Sequence, residues 1–497
     1  MKRQNKRCAG VLMPISSLCG EMGIGTLGKS AYEFVDFLKR AGQAYWQILP
    51  VCPTGFGDSP YQSFSTFAGN PYFIDLEILE KEGYLSKEDY GYAFWSASDS
   101  EINYSILYTE RKRLFTKLLA NFEQSVPADF YKFDAENAFW LDDYARFMAI
   151  KDKFSGASFD VWDISLRQRN PDALKTIDIT CQKSILYHKM LQFFFFRQWK
   201  ALKKYANENG IKIIGDLPIY VSSDSADVWS DPLQFNLNED LRPVEVAGCP
   251  PDAFSAEGQL WGNPVYNWEY MKKTDYAWWK KRLEMSFKIY DIVRIDHFRA
   301  FDSYYCVPFG AKTAQMGVWR EGPKMDFFDS IKKSLGDLNI IAEDLGFLTD
   351  SVRKLLKDSN FPGMKVLQFA FDSDEHNEYL PHNYTRNSVV YTGTHDNDTV
   401  IGWANSIDEK TYNHAAKYLR ANNKSDLAEK MILAALSCVC DTCILTAQDL
   451  LCLGSRARLN SPATVGENWK WRMTRDEFKS LDSQKLLELT KLYGRLN

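Results

Sequence analysis

The sequence has no uninterrupted apolar run of the ~18 residues that a membrane-spanning helix requires. It also lacks basic clusters: the net charge is −5, and the one concentration of Lys and Arg is the short start at residues 1–7. Because binding to phosphate backbones needs a basic surface, nucleic acid is excluded as the main partner. The apolar stretch 8–19 could suggest a signal peptide, but Pro14 interrupts it and it lacks an Ala-x-Ala cleavage site. We therefore interpret this stretch as a first β-strand and expect no membrane partner.

The ten cysteines lack the regular spacing of a small, disulfide-bonded secreted domain. We therefore expect reduced thiols and a cytoplasmic location. Cys438, Cys440 and Cys443 lie close together, but no second Cys or His pair stands at the spacing of zinc ligands, which favours buried thiols. The sequence predicts no metal and no other cofactor.

Aromatic residues, in contrast, are abundant, with 32 Phe, 26 Tyr and 14 Trp making 14% of the chain. Such rings fill hydrophobic cores, and their flat faces can also stack on sugar rings. Taken alone, the composition favours the core interpretation. The chain shows no fixed-period repeat and no low-complexity segment.

Short runs rich in Val, Ile, Leu and aromatic residues recur eight times. We predict strands at residues 10–15, 45–50, 211–216, 292–296, 339–343, 365–371, 389–394 and 443–448. Helical patterns stand between several of them, at residues 30–41, 193–209, 326–335 and 351–358. Alternating strands and helices indicate a parallel sheet, and eight strands favour an α/β fold closed into a (β/α)8 TIM barrel.

Two connections are too long to be simple loops. Residues 70–190, after the second strand, carry several amphipathic helical patterns and are predicted to form a mostly helical insertion. The insertion at 220–290, after the third strand, contains a Gly- and Pro-rich stretch around Trp261, which we interpret as a lid loop at 247–265. Only about fifty residues follow the last predicted strand, leaving little room for a C-terminal β domain. We therefore predict one catalytic unit over residues 1–497.

Acidic residues stand at or just beyond the ends of five predicted strands, where the side chains of such a barrel converge on one site. They are Asp216, Asp296, Glu343, Asp372 and Asp396. Arg294 and Asp296 are two residues apart and therefore share one face of a strand, where the guanidinium favours the ionised carboxylate. This pair fits a nucleophile or a metal ligand, and equally a structural ion pair.

Asp296 and Glu343 end neighbouring strands, which lie ~4.8 Å apart in a sheet. Two carboxyl groups ~5–5.5 Å apart on either side of a glycosidic bond form the arrangement of a retaining glycosidase. His297 and His395 are two of only six histidines, and each adjoins a strand-end aspartate. This placement favours binding of substrate hydroxyls over a purely structural role.

Three other classes of protein compete with this interpretation. Gly23, Gly25 and Gly28 form a literal G-x-G-x-x-G, but no acidic residue ends the next strand as a dinucleotide site requires. A metal-dependent barrel enzyme would use His and Asp at strand ends, but there is no H-x-H pair and Arg294 would repel a cation. A non-catalytic glucan-binding protein would not need the three carboxylates Asp296, Glu343 and Asp396 together at strand ends.

Five motifs occur together and in order: Gly-Phe-Gly-Asp-Ser-Pro-Tyr at 55–61, Gly-Asp-Leu-Pro-Ile-Tyr-Val at 215–221, Arg-Ile-Asp-His at 294–297, Ala-Glu-Asp-Leu-Gly at 342–346 and Thr-His-Asp-Asn at 394–397. Over nearly the whole chain this resembles the 4-α-glucanotransferases of glycoside hydrolase family 77, in the α-amylase clan. The resemblance implies Asp296 as nucleophile, Glu343 as general acid/base and Asp396 as the residue that stabilises the transition state. The residues that it implies around the substrate are Ser59, Tyr61, Asp216, Gln259, Trp261, Arg294, His297, Asp372 and His395.

The resemblance also implies an activity and its substrates. We expect a retaining transglycosylase that cleaves α-1,4-glucans and maltooligosaccharides and passes the glucanosyl segment to the 4-hydroxyl of another glucan or of glucose. Residues 255–263 resemble the lid over the acceptor side in this family. Phe56 stands where some relatives carry Tyr, which puts a secondary glucan site in doubt. The alternative is an α-amylase-type hydrolase of the same bonds, because residue types alone do not separate transfer from hydrolysis.

Overall fold

The computed structural model describes residues 7–251, 256–346 and 348–496. Eight parallel strands form its central sheet. We label them β1 (Cys8–Leu12), β2 (Tyr45–Gln47), β3 (Lys212–Leu217), β4 (Ile292–Ile295), β5 (Ile340–Ala342), β6 (Gly363–Val366), β7 (Ser388–Tyr391) and β8 (Thr442–Thr446). Each strand pairs with its sequence neighbour from β1 to β5 and from β6 to β8, and β8 pairs with β1. The amide of Ala342 donates to the carbonyl of Pro362 at 3.0 Å between β5 and β6, which closes the ring.

This arrangement confirms the predicted (β/α)8 TIM barrel. The strands are almost wholly buried because helices cover their outer side: in Lys29–Arg40, for example, Phe34, Val35 and Leu38 face the core. Apart from those between β2 and β3, the described helices between the barrel strands are Lys29–Arg40, Ala226–Ser230, Trp268–Lys273, Ala277–Ile289, Lys324–Leu335, Asp350–Ser359, Val400–Ser406, Glu409–Leu419 and Leu427–Ser437.

The connection between β2 and β3 is helical. Its helices are Leu76–Lys81, Lys87–Tyr90, Tyr104–Gln124, Ala128–Lys153, Ile164–Arg167, Pro171–Thr180 and Gln182–Glu208. The last of them carries the Phe193–Phe196 run, whose rings pack on Phe122, Phe130 and Trp140. Many of the abundant aromatic side chains therefore lie in the core of this insertion.

A second, smaller sheet was not expected from the sequence. Four antiparallel strands, Gln259–Pro264, Glu245–Cys249, Ser303–Pro308 and Val318–Glu321, pair in that order. The first two form a hairpin within the predicted lid loop, and the other two follow β4, where we predicted no strand. The prediction of a loop over 247–265 is therefore corrected to a hairpin, with residues 252–255 outside the described part of the chain.

The sixth barrel strand is displaced from its predicted position. We predicted residues 365–371, but β6 covers Gly363–Val366 and a 3-10 turn, Leu367–Phe369, follows it. After β8, residues 447–496 form the helices Ala447–Leu450, Arg475–Ser480 and Ser483–Leu492, and their one β contact is an isolated bridge between Glu101 and Trp471. None of the described helices is both long and apolar enough to cross a membrane.

Candidate active site

Asp296 lies directly after β4, at the carboxyl end of the barrel. Its amide donates to the carbonyl of Leu217 at 3.0 Å, which fixes its backbone against β3. Its side chain is 28% exposed, and one carboxylate oxygen accepts a hydrogen bond from Arg294 Nη2 at 3.0 Å. Arg294 therefore holds the carboxylate in place, while part of the carboxylate surface faces the open space at the carboxyl end of the barrel, which we call the cleft.

Glu343 lies directly after β5, beside Asp296. Its amide donates to the carbonyl of Ile295 at 3.0 Å, so the two residues continue the register of neighbouring strands. Its carboxylate accepts from the backbone amides of His297 at 2.7 Å and Leu345 at 2.8 Å. His297 has a φ of +52°, a left-handed conformation that L residues adopt at a cost, and this turn directs its amide toward Glu343.

Burial and mutual repulsion set the charge states of these two acids. Burial raises the pKa of Asp296 to about 6, although Arg294 favours its ionised form. Burial raises the pKa of Glu343 to about 7, and the nearby charge of Asp296 adds to this shift. Near neutral pH, Asp296 is thus the more ionised of the two and Glu343 retains more of its proton, which is the division between nucleophile and acid that a retaining enzyme needs.

Arg294 is the centre of a buried ionic network beneath this pair. Its side chain is 3% exposed, and Nη1 donates to Asp216 at 2.6 Å while Nη2 donates to Asp296. Asp216 also accepts the hydroxyl proton of Tyr61 at 2.7 Å. The side chain of Asp216 has 0% exposure, so the predicted contact between Asp216 and substrate is wrong. Asp216 instead binds Arg294 and Tyr61 from below the cleft. Gly215 leaves space for Tyr290, because a Cβ there would lie 2.1 Å from that ring.

Asp396 follows β7 on the other side of the barrel mouth. His395 Nε2 lies 3.3 Å from one of its oxygens, and the side chain of Asp396 is 43% exposed. Burial opposes ionisation, but the adjacent His395 and the hydrogen bond from Asn460 hold the pKa of Asp396 well below its usual range. The same ion pair raises the pKa of His395 despite its burial. Asp396 is therefore a permanent anion at the cleft.

Tyr61 connects the two sides of the site. Its ring stacks on His395 with centroids 5.1 Å apart and planes 18° apart, and Trp469 packs at 5.7 Å on the same ring. With its hydroxyl on Asp216, Tyr61 links the network of Arg294 to the Asp396 side. Ser59 lies two residues before it and accepts the Tyr61 amide at 3.2 Å, so it supports this loop.

The small sheet brings Trp261 against His297, the residue that follows Asp296. The ring of Trp261 meets the ring of His297 edge to face, with centroids 4.8 Å apart. Its indole N–H donates to Gln259 Oε1 at 3.1 Å, which joins two predicted substrate residues on one strand. Burial lowers the pKa of His297 to about 3, so this imidazole is neutral at any working pH. Residue 255 of the predicted lid lies outside the described residues.

Asp372 is not at a strand end, in contrast to the prediction. Because β6 ends at Val366, Asp372 lies six residues further on and is exposed. Its carboxylate accepts from Ser373 and from Asn377, both at 3.1 Å, within its own turn. The structure therefore does not bring Asp372 into the network around Arg294. Within the described ranges no group of three His, Cys, Asp or Glu side chains is arranged to hold a metal ion.

The family model described as 4-alpha-glucanotransferase matches residues 13–477 of the chain. The chain belongs to this family. The 4-alpha-glucanotransferase of Clostridium butyricum is 49% identical over 487 residues, which cover 97% of this chain and 100% of that protein. The 4-alpha-glucanotransferase of Streptococcus pneumoniae serotype 4 is 48% identical over 495 residues, covering 99% and 98%.

Solved structures agree with this membership. The amylomaltase of Streptococcus agalactiae in complex with acarbose matches with a TM-score of 0.97 and 42% identity, over 99% of this chain and 100% of that chain. The amylomaltase of Corynebacterium glutamicum, at 16% identity, shares the fold, with a TM-score of 0.75 over 99% of this chain and 74% of that chain. The family and enzyme class predicted from the five motifs are thus confirmed.

Two residues of this family member's site were missed by the sequence analysis. Asn460 Nδ2 donates to Asp396 at 2.6 Å, and Arg458 Nη2 donates to the carbonyl of Asp396 at 2.9 Å. Both come from the segment after β8, and Arg458 Nε also donates to the carbonyl of Asn460 at 2.8 Å. No pattern in the sequence marks this segment, because it contains neither a strand end nor an acidic residue near these positions.

Proposed function

We propose that this 4-alpha-glucanotransferase family member disproportionates α-1,4-glucans by a double-displacement mechanism, with Asp296 as nucleophile and Glu343 as general acid/base. The observation that carries the proposal is the placement of these two carboxylates at adjacent strand ends, in register and with different proton affinities. A pair of this kind can act from both sides of one glycosidic bond.

In the first step Asp296 attacks the anomeric carbon while Glu343 gives its proton to the leaving 4-oxygen. The bond between the two sugars breaks, a carboxylate–sugar ester forms and the reducing-end segment leaves. Arg294 holds one oxygen of Asp296, which leaves the other free to attack. Positive charge develops on the sugar ring in the transition state, and the anionic Asp396 stabilises it.

In the second step Glu343 acts as base. It removes the proton from the 4-hydroxyl of an incoming glucan or glucose, which attacks the ester and regenerates Asp296. Two backbone amides, those of His297 and Leu345, bind the Glu343 carboxylate, so its position is the same whether it receives or donates the proton.

Transfer prevails over hydrolysis when a sugar, and not water, occupies the acceptor side. Trp261 offers an apolar ring above His297 on that side, and Gln259 holds its orientation through the indole N–H. A partly exposed ring on a sheet hairpin can stack on an acceptor sugar and displace water. This favours the transferase over the α-amylase-type hydrolase, which is the second candidate.

We further propose maltooligosaccharides, as found in starch or glycogen breakdown, as the natural substrates, and a cytoplasmic location. The solved relative from Streptococcus agalactiae binds acarbose, which supports a glucan-type ligand. Eight cysteines without a disulfide support a reducing compartment. They are Cys19, Cys52, Cys181, Cys306, Cys438, Cys440, Cys443 and Cys452.

Incubation with maltotriose and sizing of the products test the proposal. Transfer gives longer maltooligosaccharides together with glucose and maltose, whereas a hydrolase gives only shorter products. The Glu343→Gln variant should lose both kinds of product. Glu375→Gln, the same change at an exposed acid, is the matched control and should keep the wild-type ladder. Products no longer than maltotriose from the wild-type protein would reject transfer.

A further inference from the structure

Trp261 lies in a β-bulge of the small sheet. Its strand, Gln259–Pro264, is the end strand of that sheet and pairs with Glu245–Cys249. The register between the two strands shifts, so that residues 261–263 stand opposite the single residue 247. A bulge interrupts the ladder of backbone hydrogen bonds and re-aims the side chains that it carries. The position of the Trp261 ring therefore depends on contacts from outside the small sheet.

Polar side chains from two other loops hold this bulge. Gln62 Nε2 donates to the carbonyl of Trp261 and to Asn263 Oδ1, both at 3.2 Å. Ser223 Oγ donates to the carbonyl of Gly262 at 2.6 Å. Backbone carbonyls that leave a sheet ladder need other donors, and these side chains provide them.

The partners of Gln62 fix the orientation of its amide group. The carbonyl of Trp261 can only accept a hydrogen bond. Asn263 Nδ2 donates to the carbonyl of Val221 at 2.8 Å, which turns Asn263 Oδ1 toward Gln62. Gln62 must therefore present its NH2 group to both acceptors. Asn263 is 5% exposed, so loss of this donor leaves a buried acceptor without its partner.

Gln62 belongs to the loop that carries Tyr61. It directly follows Tyr61, whose ring and hydroxyl are both fixed within the site. An isolated bridge between Thr54 and Ser63 closes this loop at its base. Gln62 therefore connects the bulge of the small sheet to a well-fixed part of the active site.

We propose that Gln62 is a positioning residue for the transfer step: it holds the bulge so that the Trp261 ring stays against His297, and it thereby sets how the glycosyl-enzyme divides between an acceptor sugar and water. The inference rests on the proposed function, because it requires a sugar ester on Asp296. Gln62 acts through Trp261 and takes no part in bond breaking. Without its two hydrogen bonds the bulge is less restrained, and water reaches the ester more often.

The two outcomes for the glycosyl-enzyme differ only in the attacking oxygen. In transfer the 4-oxygen of the acceptor bonds to the anomeric carbon, the ester bond to Asp296 breaks and the hydroxyl proton goes to Glu343. In hydrolysis a water oxygen attacks in the same way, and the sugar is released with a free reducing end. The number of reducing ends released per longer product therefore measures the division directly.

Replacing Gln62 by leucine tests the proposal on the full chain with maltotriose as substrate. Gln62→Leu has nearly the same size and no donor. One hydrogen bond between neutral groups corresponds to about a two- to tenfold change, so the ratio of hydrolysis to transfer should rise about fivefold. Gln62→Glu should behave alike, because an ionised carboxylate only accepts. The first-turnover release of fluoride from α-maltosyl fluoride reports the attack by Asp296 and should stay at the wild-type rate.

A double variant separates positioning from a general loosening of the structure. In Trp261→Ala there is no ring to hold, so adding Gln62→Leu should leave the ratio nearly unchanged. A further rise as large as in the wild-type background would overturn the proposal, since the two effects would then be independent. Gln484→Leu is the matched control: it removes the hydrogen bond of an exposed glutamine to Glu488 on the last helix and should keep the wild-type ratio.

The wild-type protein in the same assay separates this inference from the proposed function. If it makes longer products while Gln62→Leu and Gln62→Glu keep its ratio, the role of Gln62 is wrong and the transferase stands. If the wild type makes no longer products, the transferase is wrong and the role of Gln62 is rejected with it. Circular dichroism shows whether each variant is folded, and if Gln62→Leu is not, Gln62→Glu decides the same question.

Discussion

Replacing Arg294 tests the ionic network under the cleft most severely. Arg294→Met removes the cation that binds both Asp216 and Asp296, and it keeps most of the apolar stem. Asp216 would then remain buried, with 0% side-chain exposure and the Tyr61 hydroxyl as its remaining donor in the described structure. The variant therefore leaves an uncompensated charge in the core of the barrel.

Breaking a buried ion pair from one side costs about 3–5 kcal/mol, because the desolvated partner has lost its compensation. We expect the free energy of unfolding of Arg294→Met to fall by this amount. Removing both charges should restore part of it, so the double variant Asp216→Asn, Arg294→Met is expected to be more stable than Arg294→Met alone. The pKa of Asp296 should also rise further, since Arg294 is the larger of the two charges, with His395, that favour its ionised form.

Two assays follow these effects separately. Urea unfolding gives the stability difference, and the pH profile of kcat/KM gives the acid limb, which should move to higher pH as Asp296 ionises less readily. Arg294→Lys keeps the charge but has one ammonium for two carboxylates, and is expected to be intermediate. A loss below about 1 kcal/mol in Arg294→Met, a typical value for an exposed ion pair, together with an unmoved acid limb, would refute this reasoning.

Three further outcomes are expected. The kcat/KM profile should be bell-shaped, because activity falls below pH about 6 as Asp296 takes up a proton and above pH about 7 as Glu343 loses its proton. A flat profile over this range would contradict the assignment. Asn460→Ala removes a charge-assisted hydrogen bond to Asp396 that contributes about 1.5 kcal/mol, so kcat in transfer assays should fall about tenfold. An unchanged kcat would show that Asn460 does not belong to the site. Trp261→Ala should raise the ratio of hydrolysis to transfer, measured as reducing ends released per longer product. Trp261→Phe keeps an aromatic ring and should restore the wild-type ratio. An unchanged ratio in the alanine variant would contradict the role of Trp261 in excluding water from the acceptor side.

The positions of the barrel strands could be predicted because each is a short, nearly continuous run of apolar residues, as expected for strands buried on both faces. The sixth strand shows the limit of this signal. The apolar run continues through residues 367–371, but the backbone turns after Val366, and Gln368 uses its amide to donate to the carbonyl of Asp398 at 2.7 Å. An apolar run alone does not distinguish a strand from a buried turn.

The small sheet could not be predicted for a different reason. Its strands at Glu245–Cys249 and Ser303–Pro308 are about sixty residues apart in sequence, and they pair through backbone hydrogen bonds that leave no local pattern. Glycine and proline around the hairpin suggested a loop instead. Gly248, for example, is part of a strand: a Cβ there would lie 2.3 Å from the carbonyl oxygen of Gln259 on the next strand, so the glycine permits the close pairing.

The candidate site was predictable where an acidic residue directly follows a barrel strand. Asp296 and Glu343 directly follow barrel strands, so their proximity comes from the fold itself, whereas Asp396 lies in the loop that begins after β7 ends at Tyr391. Asn460 was not predictable, because it reaches Asp396 from a long segment after β8 whose path depends on packing. Asp216 was predicted to lie around the substrate, but its side chain is fully buried beneath the cleft, since a strand-end position does not specify the depth of a side chain.

Trapping the glycosyl-enzyme is the most direct measurement of the mechanism. Incubating Glu343→Gln with an α-maltosyl fluoride, whose leaving group needs no acid, should accumulate a sugar ester, because the second step lacks its base. Proteolysis and mass spectrometry are then expected to place the maltosyl group on Asp296. An adduct on another carboxylate, or a product of inverted configuration with no adduct at all, would contradict the assignment of Asp296 and Glu343.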